Sequence, residues 1–560
     1  MIKELSEENQ KKIEKLVISK NFSEIEKLIF SLKKKEQENP FILNLLGVCK
    51  ISKRVSNQEI AKEEAKKSQE LFKKAYEKDN NFIDALYNLA EVSLKTLNYD
   101  DAVIYLNNHL QKVIYDFRTV FFLARIHFHL GEIQKTINYY NKIIEKKDAT
   151  KFIFTNHIYV YNYSNTYSQK QYNEFCKQYL ESIKKIEENK FLKINYEKNP
   201  KKIKIGFFST ELRDHAVAKF LKGTIKSLND NFETIAFNFT NPILQDETTK
   251  ELKKTFTSWH NIHHLDDVAA VNLIREKKIN ILFDLVGYSA RSRLELFKYR
   301  SAPIQISWIG YTNSTGISEM DYIIADPYVL DNKEYYSEKI LRQPNIWSCH
   351  LPLNNEIKIN ELPYKKNGFI TFGSFNNFAK ISDNTVIVWS ELLKKTKSQL
   401  ILKSSIQVQK SGINNLLNRF KVQGVDLKKI KVLKRSKSNQ THLECYNKID
   451  IALDTFPYNG ATTSFESIWM GVPVLTIKGK TFNSRYGYSI NKNLNLDQFI
   501  ALDKNDFIKK AKLIISNYED LSQLRKTLRK KALSSPLFDI KKFNEGFIKM
   551  IKKLTLEKQL

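Results

Sequence analysis

Cysteine is scarce in this sequence, and long apolar runs are absent. Four cysteines occur among 560 residues, and Cys49, Cys176, Cys349 and Cys445 form no CxxC pair. This spacing argues against a disulfide framework and against a thiolate metal site. No apolar run approaches the length that spans a bilayer, and the charged start, MIKELSEENQKKIEKL, lacks the apolar region of a signal peptide. We therefore expect a cytoplasmic protein without stable membrane insertion.

Two common nucleotide-binding motifs are also missing. No GxGxxG follows the first predicted strand, and no GxxxxGK[ST] occurs anywhere, which counts against a simple dinucleotide dehydrogenase or a P-loop NTPase. The net charge of +29 raises the question of nucleic acid binding. However, the basic residues form no dense block with interleaved aromatics. We therefore predict no nucleic acid partner, whereas an anionic ligand remains compatible with the charge.

The first third of the chain is helical and repetitive. In residues 1–195 the apolar positions recur at helical spacing, and the segment compares with itself at a period of 34 residues. LAEVSLKTLNYDDAVIYLNNHL, from Leu89, aligns with LARIHFHLGEIQKTINYYNKII, from Leu123, and this places Ala102 on Thr136. A 34-residue helix–turn–helix period with small residues at the helix crossings resembles the tetratricopeptide repeat.

Repeats are predicted between residues 40 and 147, and the tyrosine-rich segment 150–195 is interpreted as a degenerate capping pair. Stacked repeats of this kind form a curved array, because one helix pair cannot bury its apolar face alone. The array could bind a polypeptide along its concave face, act as a spacer, or form a homo-oligomer. The sequence leaves these three roles open.

The remainder alternates short β-branched runs with helical patterns. One series starts at IKIGFFS, residues 203–209, and a second starts at FITFGSFN, residues 369–376. Such alternation predicts parallel sheets built from βαβ units. The division near 351–368 predicts two doubly wound lobes, with a ligand in the cleft at the carboxyl ends of the strands.

The stretch NGATTSFE, residues 459–466, lies between two predicted strands and has two interpretations. Thr463 and Glu466 match a T-x-x-E capping box, in which both side chains bond to the amides of their own helix. Alternatively, the helix that starts near Thr462 and Thr463 presents its free N–H groups to a phosphate, and Gly460 lets the backbone approach that anion. The residues alone leave both interpretations open.

Three further segments carry side chains that could take part in chemistry. Lys380 ends the loop after the strand in FGSFNNFAK and could neutralise a phosphate. His215 lies in the loop after the first predicted strand, where a histidine could serve as an acid or base. The segment WHNIHHLDD, residues 259–267, has no zinc-ligand spacing and is interpreted as an exposed connection, so no metal site is predicted.

Taken in order, the motifs resemble the O-linked N-acetylglucosamine transferase / SPINDLY family, glycosyltransferase family 41, in its bacterial form. The resemblance is close over residues 200–535 and looser through the repeats. It rests on the segments IGFFSTELRDHAVAKFL, DLVGYSARSRLELFKYRSAPIQISWIGYTNSTG, DYIIADP, TFGSFNNFAKIS, YNKIDIALDTFPYNGATTSFESIWMGVPVLT and SRYGYSI.

The resemblance implies a GT-B fold, which consists of two Rossmann-like lobes, preceded by a tetratricopeptide-type solenoid. The implied domains are the repeats at 1–195, an acceptor-side lobe at 196–355, and a nucleotide-sugar lobe with C-terminal helices at 356–560. The implied activity is inverting, metal-independent transfer of N-acetylglucosamine from UDP-N-acetylglucosamine to Ser or Thr of polypeptides. No cofactor is implied.

The resemblance also assigns roles to residues. His215 takes the place of the proposed base, and Lys380 that of the lysine that contacts the diphosphate. Thr462 and Thr463 fall on the pair that holds the phosphates, Glu466 on the acid that binds ribose, and His442 on a histidine beside the base of the nucleotide. The nucleotide-sugar site is completed by Asn376, Asn377, Asn459 and Gly460, and the acceptor or sugar loop consists of Ser314, Thr315 and Gly316.

The sequence departs from the family pattern at Ala216, Ala461 and Glu466. Three alternatives stay open beside the leading one. The enzyme could use GDP-fucose or another donor, or act on glycan or lipid acceptors. The chain could also be a non-catalytic scaffold.

Overall fold

A computed structural model of the chain describes residues 5–559, apart from residues 20, 53–57, 97, 195, 198–199, 290, 331–335, 355, 405–409 and 437. These residues form two compact units. The first unit holds the described residues up to 130, together with 135–148 and 410–416, and the second holds the rest of the described chain.

The first unit is helical. Neighbouring helices pack as pairs, α4 with α5 and α6 with α7, as expected for stacked helix–turn–helix repeats. The helices of this part of the chain are α1 (Glu7–Ile18), α2 (Phe22–Ser31), α3 (Lys34–Gln37), α4 (Pro40–Ser52), α5 (Gln58–Lys78), α6 (Asp84–Lys95), α7 (Tyr99–Lys112), α8 (Phe117–His129) and α9 (Ile133–Glu145).

The 34-residue period corresponds to equivalent buried positions. Leu89 and Leu123 are both buried, and so are Ala102 and Thr136. Small side chains at the last two positions let neighbouring helices approach closely, which is why the period was visible in the sequence. The prediction of helical repeats is confirmed.

The second unit contains two parallel sheets. In the first lobe the strand order is β3-β2-β1-β4-β5-β6-β7. Its strands are β1 (Ile203–Ser209), β2 (Phe232–Asn238), β3 (Ser258–Asn261), β4 (Ile281–Asp284), β5 (Ile304–Ser307), β6 (Tyr322–Ala325) and β7 (Lys339–Arg342). The helices between them are α12 (Ala216–Leu228), α13 (Glu247–Thr255), α14 (Asp267–Glu276) and α15 (Glu295–Lys298).

The second lobe repeats this topology, with the order β10-β9-β8-β11-β12-β13. Its strands are β8 (Ile370–Ser374), β9 (Ser398–Lys403), β10 (Ile430–Leu433), β11 (Ile451–Leu453), β12 (Val474–Ile477) and β13 (Ile500–Ala501). The helices that follow the first lobe are α16 (Pro363–Asn367), α17 (Asp383–Lys395), α18 (Lys410–Val422), α19 (Asn439–Glu444), α20 (Thr462–Trp469), α21 (Tyr486–Asn493), α22 (Lys504–Ser516), α23 (Tyr518–Leu533) and α24 (Ile540–Glu557).

The prediction of two doubly wound lobes is confirmed, with one local correction. The segment WHNIHHLDD is not only a connection, because Ser258–Asn261 forms β3 at the edge of the first sheet and pairs with β2. An edge strand has one unpaired side and needs no continuous apolar run, so its polar sequence hid it.

Two helices precede the first lobe within the second unit, α10 (Lys151–Tyr161) and α11 (Gln169–Ser182). They pack on that lobe through tyrosines: the Tyr172 hydroxyl donates to the Ser314 carbonyl at 2.6 Å, and the Tyr179 hydroxyl donates to the Glu295 carboxylate at 3.1 Å. At the other end of the chain, α24 returns to the first lobe, where the Asn544 side chain donates to the Gly223 carbonyl at 3.1 Å. Within the described ranges, every helix is too short or too polar to span a lipid bilayer.

Candidate active site

The candidate site lies where β8 and β11 run side by side in the second lobe. Along the chain β8 is the first strand of this lobe and β11 the fourth, but they are neighbours in the sheet, so the direction of winding reverses between them. In such sheets a crevice opens at the carboxyl ends of these two strands. The loop after β8 carries Asn376, Asn377 and Lys380, and the loop after β11 carries Asn459 and Gly460.

Lys380 connects the two loops. Its Nζ donates to the Asn459 carbonyl at 2.8 Å and lies 4.3 Å from the centroid of the Tyr458 ring. Asn377 caps the short turn that carries this lysine, because its side chain accepts from the Ala379 amide at 3.1 Å. Burial lowers the pKa of Lys380 to about 8, although the nearby charge of Asp454 opposes this shift. Most molecules therefore carry an ammonium here at neutral pH.

Gly460 makes a close contact that only glycine allows. A Cβ atom at this position would lie 2.4 Å from Thr463 Oγ1 and 2.7 Å from Asn376 Oδ1. Those two atoms form a hydrogen bond with each other at 2.9 Å, donated by the threonine hydroxyl. The Gly460 amide donates to Asp454 Oδ1 at 2.7 Å. The structure thus brings together residues from both loops that the sequence assigned to the nucleotide site.

Asp454 stabilises the turn that contains Gly460. Its carboxylate is buried and also accepts from the Thr476 hydroxyl at 2.8 Å. Burial raises the pKa of Asp454 to about 7, against the opposing effect of its hydrogen bonds and of Lys380.

The capping-box interpretation of NGATTSFE is wrong. Helix α20 begins at Thr462, one residue before the predicted cap, and no side chain caps it. Among the described residues, no acceptor lies within hydrogen-bond distance of the amides of Thr462 and Thr463. A helix start with free amides and a positive dipole is suited to an anion. Lys380 is bonded to Asn459, three residues before this helix start, and we refer to Lys380 and these two amides as the cationic cradle.

Glu466 faces away from the amides of its own helix. Its Oε2 lies 3.0 Å from His442 Nε2 and accepts from the Tyr446 hydroxyl at 3.4 Å, while Oε1 lies 3.7 Å from the ammonium of Lys219 on α12. Burial alone would raise the pKa of Glu466, but the hydrogen bond and charge of His442 and the charge of Lys219 hold it below its ordinary value. Lys403 contacts the other ring nitrogen of His442.

The ion pair of Glu466 with Lys219 joins the two lobes, because Lys219 belongs to the first lobe and Glu466 to the second. Next to it, the rings of Phe220 and Phe465 meet at 5.3 Å between centroids. The first turns of α12 and α20 therefore lie against each other. Sequence reasoning missed Lys219, Lys403 and Tyr446, since nothing in the local sequence marks a partner in another element.

His215 stands at the N-terminus of α12, one helical turn before Lys219. Its Nδ1 accepts from the Val217 amide at 3.4 Å and lies 3.8 Å from a carboxylate oxygen of Glu211. Among the described residues, Nε2 has no hydrogen-bond partner. Burial lowers the pKa of His215, an effect that the charge of Glu211 opposes. The ring is therefore neutral at pH 7 and able to accept a proton.

The predicted acceptor or sugar loop is buried in the first lobe. The carboxylate of Glu338 accepts from the Ser314 hydroxyl at 2.8 Å and from the amide and hydroxyl of Thr315 at 2.6 and 2.5 Å. Gly316 has a φ of +68°, and a Cβ there would lie 2.7 Å from the Cβ of Cys176. Both hydroxyls are thus engaged within the protein, and an acceptor or sugar role for this loop stays a prediction. Glu338 gave no signal in the sequence.

The sequence pattern of Glycosyl transferase family 41 matches residues 132–349 and 359–547, which is more than half of the chain. A relative from Eustoma exaltatum subsp. russellianum, "Probable UDP-N-acetylglucosamine--peptide N-acetylglucosaminyltransferase SPINDLY", is 33% identical over 338 residues, 59% of this chain and 37% of that protein. The corresponding SEC protein of Arabidopsis thaliana is 26% identical over 372 residues, 62% of this chain and 37% of that protein. The chain thus spans well under half the length of these curated relatives.

A solved structure supports the fold. The Thermobaculum terrenum O-GlcNAc transferase, in a mutant form with one lysine replaced by methionine, superposes with a TM-score of 0.76 at 23% identity, over 87% of this chain and 94% of that one. This likeness confirms the predicted fold class, a tetratricopeptide-type helical region followed by a GT-B fold with two Rossmann-like lobes.

Proposed function

The chain belongs to glycosyl transferase family 41, and we propose that it transfers N-acetylglucosamine from UDP-N-acetylglucosamine to Ser and Thr hydroxyls of polypeptides. The names of the SPINDLY and SEC relatives support this donor and a peptide acceptor. The observation that supports the proposal is the cationic cradle: Lys380, on the loop after β8, is bonded to the loop after the adjacent strand β11, which leads into the open amides of Thr462 and Thr463.

The cradle suits a nucleoside diphosphate that acts as a leaving group. In the proposed reaction the acceptor oxygen forms a bond to the anomeric carbon, while the bond from that carbon to the β-phosphate oxygen breaks. The electron pair leaves with UDP, so negative charge grows on the diphosphate. Lys380 and the helix start would stabilise that charge, the role that a divalent cation has in other transferases. We therefore propose that turnover requires no metal.

The first lobe would provide the base. His215 is neutral at pH 7, and its Nε2 is without a partner among the described residues, so this nitrogen could take the proton of the incoming hydroxyl. Attack from the side opposite the diphosphate inverts the anomeric configuration. Glu466 would accept hydrogen bonds from the ribose after exchanging one of its present partners, His442 or Lys219.

The donor can be tested by binding. A thermal-shift panel of UDP-, GDP- and dTDP-sugars should raise the melting temperature most with UDP-N-acetylglucosamine, because a ligand that binds only the folded state stabilises it in proportion to its occupancy. A larger shift with GDP-fucose would replace the proposed donor. No shift with any nucleotide-sugar would favour the scaffold alternative.

Transfer can be tested by product. The full chain is incubated with UDP-N-acetylglucosamine and a mixture of peptides, in EDTA, and UDP release is measured together with the masses of peptides and of added lipids. We expect UDP release and one N-acetylhexosamine increment per modified peptide. Increments on lipid alone would overturn the acceptor class, and activity that returns only on adding Mg²⁺ or Mn²⁺ would overturn metal independence.

A matched pair of variants links the product to the cradle. Lys429, like Lys380, donates from Nζ to one backbone carbonyl, that of Leu393 at 2.8 Å. However, it precedes β10 and so lies at the opposite end of the sheet. Lys380→Met should abolish UDP release, and Lys429→Met should leave it unchanged.

A further inference from the structure

The turn that ends α10 reaches the loops of both lobes. The Asn162 side-chain amide donates to the Tyr311 hydroxyl at 2.8 Å, and its Oδ1 accepts from Asn313 at 2.9 Å. The same Oδ1 accepts from Asn483 of the second lobe at 3.3 Å. The carbonyl of Asn483 in turn accepts from the Asn459 amide at 2.9 Å. Asn162 is therefore bonded to the loop before Ser314 and, through Asn483, to the loop after β11, which carries Asn459.

Tyr163, the next residue in the turn, contacts the loop after β11 directly. The ring of Tyr163 stacks on that of Tyr458, with 4.6 Å between centroids and 30° between planes. The Tyr163 hydroxyl forms a hydrogen bond with the Tyr159 hydroxyl at 2.9 Å. Tyr163 is only 3% exposed. The Tyr163 side chain is thus held by a hydrogen bond to α10 at its hydroxyl and by ring stacking on Tyr458.

Tyr458 and Asn459 are the two residues that hold the ammonium of Lys380. The ammonium lies 4.3 Å from the Tyr458 centroid and donates to the Asn459 carbonyl. Of the bonds that Lys380 makes to described residues, these two come from one dipeptide of the loop. Any displacement of that dipeptide therefore moves the ammonium, or exposes it to water.

We propose that Tyr163 is a positioning residue for Lys380. Its ring holds the ring of Tyr458 in place, and the ammonium of Lys380 lies over that ring. The turn at the end of α10 then contributes to the catalytic site through Tyr163, in addition to packing on the first lobe. This inference rests on the proposed function in one respect, the assignment of Lys380 to the diphosphate. The burial that lowers the pKa of Lys380 to about 8 agrees with it, because the ring excludes water from one side of the ammonium.

A purely structural role has to be separated from positioning. Loss of a buried aromatic ring lowers stability whether or not the ring has a functional role, by about 3–5 kcal/mol for truncation to alanine. Tyr161 provides the control, because it is the last residue of α10, is 2% exposed, and packs its ring on Tyr167 and Phe175 within the hairpin. Tyr161→Leu and Tyr163→Leu should lower the melting temperature by similar amounts. Tyr163→Phe keeps the stacked ring, and Tyr163→Met fills most of the space without a ring.

The experiment has a readout that needs no nucleotide. The rate of Lys380 acetylation by acetic anhydride is followed by mass spectrometry between pH 6 and pH 11 in the full chain, and the midpoint of the pH profile gives the pKa of the ammonium. The titratable groups around Lys380 are Asp454 and the phenol of Tyr458, and burial raises the pKa of that phenol and of the phenols next to it, Tyr163, Tyr159 and Tyr486. We expect a midpoint near 8 in the wild type and in Tyr163→Phe and Tyr161→Leu. In Tyr163→Leu and Tyr163→Met it should move upward toward the ordinary lysine value.

UDP binding by calorimetry at pH 7 completes the test. Loss of a partly buried cation–π geometry predicts an affinity about three- to tenfold weaker in Tyr163→Leu and Tyr163→Met, with Tyr161→Leu unchanged. The proposal is overturned if both Tyr163 variants are folded and keep the wild-type midpoint, or if Tyr161→Leu shifts it equally. If the wild type binds no UDP while the midpoints shift as expected, the proposed donor fails and the positioning role stands.

Discussion

Replacing Lys380 by Met tests the central electrostatic claim. The change removes the cation of the cradle and keeps a side chain of similar length. Loss of one preorganised group that stabilises transition-state charge lowers the turnover number by about 10²–10³-fold. We therefore expect residual activity of about 1% or less, in a protein that still folds.

The structure also predicts that folding is little affected. Lys380→Met loses one hydrogen bond, worth about 0.5–1.5 kcal/mol, and one cation–π contact, worth about 0.5–2 kcal/mol. Against this, it removes an ammonium whose charged form is disfavoured by burial, as the lowered pKa shows. Since these contributions oppose each other, the melting temperature should change by no more than about 4 °C.

The pH dependence gives the sharper result. Because the pKa of Lys380 in the free protein is about 8, the ammonium is present below that pH and is lost as the pH rises through it. UDP affinity should be level up to about pH 8 and then fall, by at most about tenfold per pH unit. In Lys380→Met this descending limb should be absent. Lys380→Arg should also lack it, since a guanidinium stays protonated.

Calorimetric titration of UDP at pH 6.5, 7.5, 8.5 and 9.5 measures this limb, with Lys429→Met as the matched variant that keeps it. The electrostatic assignment is refuted if Lys380→Met binds UDP as tightly as the wild type, or if it turns over at the wild-type rate. A limb that persists in Lys380→Met would show that another group titrates, and the cradle would then be wrongly assigned.

Three further substitutions test the surrounding residues. Thr463→Ala removes the hydroxyl bonded to Asn376 and should weaken UDP binding by about three- to tenfold with little change in melting temperature, whereas unchanged affinity with a lowered melting temperature would restore the capping box. His215→Ala should lower kcat by about 10²–10⁴-fold and leave UDP affinity unchanged. The wild-type pH–rate profile should have its acid limb below pH 6.5, because burial lowers the pKa of His215; a limb above pH 7 contradicts this. The raised pKa of Asp454, about 7, means that its contribution to stability is present at acidic pH and lost as the pH rises through 7. The melting temperature of Asp454→Asn relative to the wild type should therefore increase between pH 5.5 and pH 8, and a constant difference would contradict the assignment.

Most of the fold could be predicted because the core strands carry their signal locally. IKIGFFS corresponds to the strand Ile203–Ser209, and AVAKFLKGTIKSL corresponds to the helix Ala216–Leu228. The strands that sequence reasoning did not identify are β3, β7 and β13. The first two have half-exposed or exposed side chains, and the third has two residues. At the edge of a sheet, a strand forms because it pairs with a neighbouring strand, and the sequence of the segment alone does not show that pairing.

The site divides in the same way. The family resemblance put Lys380 and Gly460 in one nucleotide-sugar site, and the structure places the loops that carry them after two neighbouring strands, β8 and β11. Glu466 could not be placed, because the spacing of Thr463 and Glu466 satisfies a local capping rule while His442 and Tyr446 lie in another segment. A pattern within eight residues cannot show which long-range partner a carboxylate selects.

Polar groups that lack a partner in the protein distinguish an enzyme from a scaffold that has the same fold. Among the described residues, Lys380 has no carboxylate within ion-pair distance, and the amides of Thr462 and Thr463 have no acceptor. Burial disfavours the charge of Lys380, as its lowered pKa shows, and the two amides lack an acceptor within the described part of the protein. A single dianionic ligand would satisfy all of them at once. A protein that only held partners together would need neither this lysine nor the open amides, whereas a protein that binds a diphosphate needs both before the ligand arrives. The cradle is therefore better explained by turnover of a charged substrate than by packing.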